Sequence, residues 1–266
     1  KKGDDLRKDK ALMNIFKFMN YIWFKESKQK ETPFTLKYKK TLVKILTFDV
    51  VAMTNKIGII ELVPNCIPLR HINKYMDELI DEHKITLITS AAASYIGSFV
   101  TGVKDRHFDN ILLRTDDCTL FHIDFGYCLG ESIKNPLAID TSTFAITEDF
   151  YHFIGKEAYE EYFVPLCVDT FMCLRKYAEQ LIDFTMLSFS YLFKEKQEKK
   201  IRDYLTKKLK VKEQNEDKIK EWLSNEIKKA PFSKKTKLKN KLHRMNAPTL
   251  TEEQLNQAPT SQTATV

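Results

Sequence analysis

The sequence predicts an α+β chain of two lobes: a small one made of a helix and a few strands, then a larger and mostly helical one. Three observations carry this. Residues 41–53 (TLVKILTFDVVAM) and 57–63 (IGIIELV) are rich in β-branched residues and flank the short turn TNK. Residues 86–101 (TLITSAAASYIGSFVT) are apolar almost all round, the signature of a helix buried at the centre of a domain. Residues 149–193 read as helical throughout, without the alternation of strands and helices that a parallel sheet requires.

The elements follow in order. After the loop GDD, Leu12, Ile15, Phe16, Met19 and Ile22 recur at helical spacing within residues 1–32, and KESKQKE breaks the pattern. The two β-branched runs form a hairpin that ends at Pro64 and Asn65. Residues 71–83 make an amphipathic helix with Ile72, Met76, Leu79 and Ile80 on one side. NILLRT and LFHIDF are short strands joined by the turn TDDC. Residues 127–147 form a surface loop, and 166–193 one long helix with an apolar stripe. The segment 194–244 is helical with interruptions, and the polar 246–266 is disordered.

Composition narrows the function classes. The 266 residues suffice for one large domain, and no apolar run approaches the ~20 residues of a membrane-spanning helix. Five cysteines form no CxxC pair and no His/Cys ligand set, so a zinc site is not expected and a reducing compartment is. The net charge is +7, but Lys194–Arg244 alone carries 19 Lys/Arg against 8 Asp/Glu. That basic end suits an anionic partner. Without interleaved base-stacking aromatics it is not expected to be nucleic acid.

The chemistry concentrates in GVKDRHFDNILL and LFHIDFGYCLG. Asp105 precedes Asn110 by five positions, the Asp-to-Asn interval of the protein-kinase catalytic loop, and Asp124-Phe125-Gly126 follows fourteen residues later. Phosphoryl transfer spreads negative charge over phosphate oxygens, so a hard cation on few oxygen ligands is needed. Asn110 and Asp124 are the candidate ligands. His107, an imidazole beside them, is the candidate base, with Asp105 orienting the loop or sharing that role.

DRHFDN with HIDFG resembles the catalytic and activation segments of the phosphatidylinositol 3-/4-kinase family. KKGDDLRKD, GIIELVPN, ITSAAASYIGSFVTG and IRDYLTKKLKVKEQNEDKIKEWL resemble further family segments, over roughly residues 1–245. The resemblance implies a two-lobed protein-kinase-like fold. Residues 1–63 would be an incomplete small N-lobe sheet with the hinge, 64–245 a mostly helical C-lobe, and 246–266 a tail. It implies ATP and Mg²⁺ (or Mn²⁺) as cofactors. Lys1 would contact phosphate, and Asp9 would lie deep in the nucleotide pocket. Ile60 would be the gatekeeper, Glu61 and Val63 would bond adenine through their backbones, and Leu112 and Ile123 would sandwich the ring. Arg106 is expected to tie the catalytic loop to a neighbouring carboxylate.

Departures from the family pattern are Lys8 for Gln, Phe48 for Tyr and Lys104 for the second Gly of Gly-x-Gly-Asp-Arg-His. If that Gly needs positive φ, Lys104 is strained by ~1 kcal/mol or more. Because the resemblance starts at the nucleotide lysine, the chain is expected to be a fragment of a longer kinase, weakly active or inactive alone.

Between Tyr127 and Ile146 stand one lysine (Lys134) and two acids (Glu131, Asp140), which suits unphosphorylated phosphatidylinositol as substrate. The resemblance is nearest the class III 3-kinases and implies a regulatory subunit and work in membrane trafficking, cytoplasmic and peripheral at endosomal or other intracellular membranes. TSTFAITEDF points also to 4-kinases and class I enzymes. A related protein Ser/Thr kinase and a degenerate, non-catalytic kinase stay open. In the basic end, 219–227 is expected to pack on the body of the protein and 234–244 to touch membrane.

Overall fold

In the computed structural model, residues 1–3, 5–28, 43–78, 81–131, 143–192 and 195–246 are described. The sequence expectations for Lys134, Asp140 and the 247–266 tail fall outside them. Helix α1 (Arg7–Ser27) buries Leu12, Ile15, Phe16, Met19 and Ile22, the residues whose spacing predicts it. Strands β1 (Val50–Ala52) and β2 (Gly58–Ile60) pair antiparallel, with Val50 opposite Ile60. Their turn is closed by the N–H groups of Met53 and Thr54 on the Ile57 carbonyl, at 3.0 and 2.9 Å. Of the expected strand 41–53, residues 43–49 form no strand ladder, though the Asp49 carbonyl accepts the Glu61 N–H at 2.8 Å, and only Val50–Ala52 join β2. Lys2 bridges Ile57 and adds a third edge to the hairpin.

A second sheet orders β3 (Cys66–Pro68), β4 (Ile111–Arg114) and β5 (Leu120–His122) as an antiparallel meander in space, with β4 central. The sequence predicts β4 and β5. It does not show β3, three residues ending in Pro68 whose partner lies more than forty positions away. The amphipathic helix expected over 71–83 is instead a 3-10 segment, Leu69–Glu78. Among its described side chains Leu69 and Ile72 are buried, and a three-residue spacing matches one turn of a 3-10 helix better than a turn of α. The side chains of Met76, Leu79 and Ile80 lie outside the described residues.

Helix α2 (Asp81–Thr101) runs through the centre, with Ala91, Ala92, Ala93, Ile96 and Val100 fully enclosed. Its small residues admit β5 on one side and α4 (Val164–Lys176) on the other. Ser94 and Ser98 meet Nδ1 of His122 at 2.7 and 3.2 Å, which pins β5 to the helix. Burial holds that imidazole well below its ordinary pKa, so it is neutral.

Helix α3 (Glu148–Ile154) is capped by Thr147, whose Oγ1 accepts the Phe150 N–H at 3.1 Å. Gly155, at φ +85°, ends it, and a π-helical turn (Ala158–Phe163) leads into α4. The single helix expected over 166–193 is broken at Tyr177 into α4 and α5 (Ala178–Phe189). The break has a tertiary cause: the Tyr177 hydroxyl and the Lys176 ammonium both reach the buried Glu26 carboxylate of α1, at 2.6 and 3.0 Å. Turning there lets α4 pack on α2 while α5 packs on α1.

The basic end forms α6 (Glu195–Lys208), α7 (Glu216–Lys229) and α8 (Lys234–Asn246). Ile219, Leu223 and Ile227 of α7 are buried, as expected. Helix α8 is inverted: Thr236 and Lys239 face inward, while Leu238, Leu242 and Met245 are exposed. No helix among the described residues is long and apolar enough to cross a membrane. The architecture is α+β, mostly helical, with two small antiparallel sheets among the described residues.

Candidate active site

Two adjoining cavities meet between the hairpin, the start of α1 and the β4–β5 sheet. The smaller, about 300 Å³, is lined by Phe48, Ile60, Glu61, Leu62, Val63, Leu112, Phe121 and Ile123, with Lys1, Asp9, Asn110 and Asp124 at its polar end. The wider, about 640 Å³, shares Lys1, Asp9 and Asp124 and adds Lys104, Asp105, Tyr127 and Glu131. Lys1, Asp9, Ile60, Glu61, Val63, Asp105, Asn110, Leu112, Ile123 and Asp124 each line one or both, whereas Arg106 and His107 line neither.

The smaller cavity is a flat apolar slot with one peptide edge. The Glu61 N–H is engaged by the Asp49 carbonyl at 2.8 Å, which leaves the Glu61 carbonyl and the Val63 N–H as the pair a purine edge needs. Phe48 is buried and stacks on Phe125, ring centroids 6.4 Å apart, so the residue after Asp124 is held from behind by aromatic contact.

Asn110 and Asp124 are brought together by the backbone. The Ile123 N–H donates to the Asn110 carbonyl at 3.1 Å, which sets the two side chains at neighbouring strand ends. The Asn110 side-chain amide donates to the Asp105 carbonyl at 3.0 Å, so its side-chain oxygen faces away as an acceptor. An amide oxygen and an exposed carboxylate are the donor set a hard divalent cation takes, and phosphate oxygens can complete the shell. Among the described residues no cluster of three His, Cys, Asp or Glu exists that would suit a thiolate- or imidazole-bound metal. Burial pushes the Asp9 carboxyl above its usual range; Lys1 opposes this and nearby Asp124 adds to it. A cation placed at Asp124 would relieve that repulsion.

Asp105 and Asp124 both adopt left-handed backbone, at φ 60° and 58°. Aspartate tolerates this region better than most residues, and such strain concentrates at functional sites. Lys104 does not share it. The left-handed glycine of the loop is Gly102, at φ +62°, so the substitution that puts lysine at 104 carries no backbone strain. Its N–H donates to the Tyr127 carbonyl and its carbonyl accepts from Arg106 Nε, each at 2.9 Å.

The sequence reading expected Arg106 to tie the loop to a carboxylate; among the described residues its hydrogen bonds go to peptide carbonyls instead. It donates to Lys104 at 2.9 Å, Ile123 at 2.7 Å, Asn110 at 3.4 Å and also to Asp124. One side chain thereby joins the catalytic-type loop to the Asp124 turn. Burial lowers its pKa to about 10, still charged at neutral pH.

His107 is half-buried and lines neither cavity. Its Nδ1 accepts the Asp109 N–H at 3.3 Å. On the cleft wall stands Asp105, whose Oδ1 meets Lys239 Nζ of α8 at 2.9 Å. Burial alone would raise this carboxyl, but the bond and charge of Lys239 outweigh it and hold the pKa below the usual carboxylate range. The neighbouring Asn240 accepts the Phe108 N–H at 3.2 Å. Sequence reasoning missed both contacts, because a lysine in a lysine-rich helix carries no local sign that it points inward.

A family model described as "Phosphatidylinositol 3- and 4-kinase" matches residues 1–93 and 80–190. Phosphatidylinositol 3-kinase 2 of Dictyostelium discoideum is 27% identical over 234 residues, 79% of this chain and 12% of that protein. Phosphatidylinositol 4-kinase beta of Bos taurus is 28% identical over 198 residues, 68% of this chain and 22% of that protein. The human phosphatidylinositol 4-phosphate 3-kinase C2 domain-containing subunit beta is 26% identical over 214 residues. The chain thus spans between about an eighth and a fifth of these relatives' lengths. Because the matched residues run unbroken through α1, the hairpin, the Asp105–Asn110 loop and the Asp124 turn, the chain belongs to the phosphatidylinositol 3- and 4-kinase family.

Proposed function

We infer that the chain is the catalytic core of an ATP-dependent lipid kinase that phosphorylates an inositol hydroxyl of phosphatidylinositol, at the 3-position. The observation that carries this is the junction of the two cavities. Lys1, Asp9 and Asp124 line both cavities, and a nucleotide bound in the apolar slot would pass its phosphates between them into the wider cleft. A second reading, transfer to the 4-position, is favoured by the 28% identity to the bovine enzyme named phosphatidylinositol 4-kinase beta.

The slot would take the adenine of ATP against the Glu61 carbonyl and the Val63 N–H, with Ile60 at its back and Leu112 and Ile123 beneath the ring. Asn110 and Asp124 would hold Mg²⁺, or Mn²⁺, which neutralises phosphate charge when bound. Lys1 steadies the phosphates. Asp105, kept ionised by Lys239, is a weak base and serves to orient the loop. His107 would accept the hydroxyl proton after its ring, outside both cavities, releases the Asp109 N–H and turns toward the Asp105 wall.

The exposed Leu238, Leu242 and Met245 of α8, beside the exposed Lys234 and Lys235, suit contact with an anionic bilayer at the cytoplasmic face of endosomal or other internal membranes. A regulatory subunit is part of the same proposal. The test is a kinase assay on the full-length gene product, offered phosphatidylinositol, its monophosphates and a protein substrate, with the phosphorylated ring position identified. Lipid turnover that survives Asp124→Ala refutes the mechanism.

A further inference from the structure

A third cavity, about 260 Å³, is lined by residues of α2, the 102–104 loop, β5, the 143–145 segment and α6. Among the described residues it shares only Lys104 with the wider cavity of the cleft and none with the apolar slot. It differs from the cleft in sign. Asp5, Asp9, Asp105, Asp124 and Glu131 line the wider cavity, whereas the described lining of the third holds Lys104, Arg106 and Lys208 and no carboxylate. A cavity walled by charge of one sign concentrates ions of the other.

Two residues of this lining carry unsatisfied polar groups. Tyr95 and His122 are 2% and 3% exposed, and neither the Tyr95 hydroxyl nor His122 Nε2 has a hydrogen-bond partner among the described residues. A buried donor left bare costs free energy that a bound acceptor returns. The two rings meet edge to face, centroids 5.2 Å apart, so the residues stand side by side in the wall. When Ser94 or Ser98 donates to Nδ1, the neutral imidazole carries its proton on Nε2, and Tyr95 and His122 both offer donors. Lys208 is half-buried with its Nζ 4.2 Å from the centroid of Phe99, another residue of the lining. The volume far exceeds the ~30 Å³ that one water occupies.

We propose that this cavity binds a single phosphate-class oxyanion, hydrogen-bonded by Tyr95 and His122 and faced by the charges of Arg106 and Lys208. The site does not rest on the lipid-kinase reading. It adjoins the cleft through Arg106, whose N–H groups hold the Lys104, Asn110, Ile123 and Asp124 carbonyls. An anion seated there offsets the desolvation of that buried guanidinium and so steadies its grip on the loop and the turn.

The test is equilibrium dialysis of radiolabelled inorganic phosphate against the full-length gene product in EDTA, where the cleft has no metal to hold the ion. The wild type is expected to bind phosphate saturably. Tyr95→Phe weakens that binding about tenfold or more, the scale of one hydrogen bond to a charged group. Lys208→Gln weakens it about threefold, the scale of one part-exposed charge pair. Lys1→Gln leaves it unchanged, because Lys1 lines only the other two cavities. In phosphate-free buffer Tyr95→Phe keeps the wild-type Tm or exceeds it, since it deletes a hydroxyl with no partner, and this separates lost binding from lost folding. Inositol 1-phosphate is the second arm. Binding equal to inorganic phosphate assigns the site to any phosphate group, tighter binding assigns it to a soluble headgroup, and weaker binding assigns it to the free ion. The inference is overturned if millimolar phosphate shows no saturable binding, if Tyr95→Phe binds as tightly as the wild type, or if Lys1→Gln abolishes binding. It is overturned equally if Tyr95→Phe lowers Tm without phosphate, the mark of a hydroxyl already satisfied by water.

Discussion

Replacing Arg106 by Met tests whether one guanidinium holds the catalytic-type loop to the Asp124 turn. Met keeps much of the volume and removes all the donors. Four peptide carbonyls lose their partner, two of them bonded at 2.9 Å or less, one at 3.4 Å, and the last at Asp124. Bonds to a charged group contribute ~1.5–3 kcal/mol each, and a buried acceptor left bare costs ~1–3 kcal/mol. Relief of the guanidinium's own desolvation offsets part of this, so a net loss of ~3–5 kcal/mol is expected, a fall in Tm on the order of 10 °C for a chain of this size. The assay is urea unfolding with amide exchange followed at residues 104–110 and 123–126. Exchange should rise in both stretches together, because the same side chain ties them. Arg106→Lys, with one donor centre in place of a fork, should recover less than half. A loss under ~1 kcal/mol, or faster exchange in one stretch only, refutes the staple.

Lys239→Met should remove the pH dependence that Asp105 brings. The folded carboxyl is depressed, so its stabilisation is present above the ordinary carboxylate pKa near 4 and fades as pH falls below it. The wild type should therefore lose more stability than the variant between pH 6 and pH 3, approximate bounds set by that same value. Gly102→Ala should destabilise by ~1–2 kcal/mol, since φ is +62° and a Cβ would run into the Tyr204 hydroxyl. Adding Tyr204→Ala should return only the steric share, read from a double-mutant cycle. Leu238→Ser with Leu242→Ser should weaken sedimentation of the full-length protein with phosphatidylinositol vesicles while leaving Tm within ~2 °C, because both side chains are exposed. Unchanged sedimentation would sink the bilayer role of α8.

Local periodicity was enough for α1, α2, β4, β5 and α7, because each buries a face whose spacing is written in consecutive residues. It was not enough where a distant partner decides. Strand β3 exists because Arg114 and Leu113 lie opposite it, and the break at Tyr177 exists because Glu26 attracts two side chains at once. The candidate site follows the same division. Asn110, Asp124 and the apolar slot were legible as motif and strand. The carbonyl grip of Arg106 and the reach of Lys239 were not, since both depend on where a chain returns in space. The strain expected at Lys104 was misplaced by two residues, because a glycine pattern does not say which of its members turns left-handed; the structure assigns that to Gly102.

The hydrogen bonds of this guanidinium, among the described residues, go to peptide oxygens and so are blind to the side chains those peptides carry. Positions 104 and 123 can therefore drift in chemistry without loosening the frame that Arg106 sets. Families built on such a joint can retune what they recognise one residue at a time, while the joint itself tolerates no exchange.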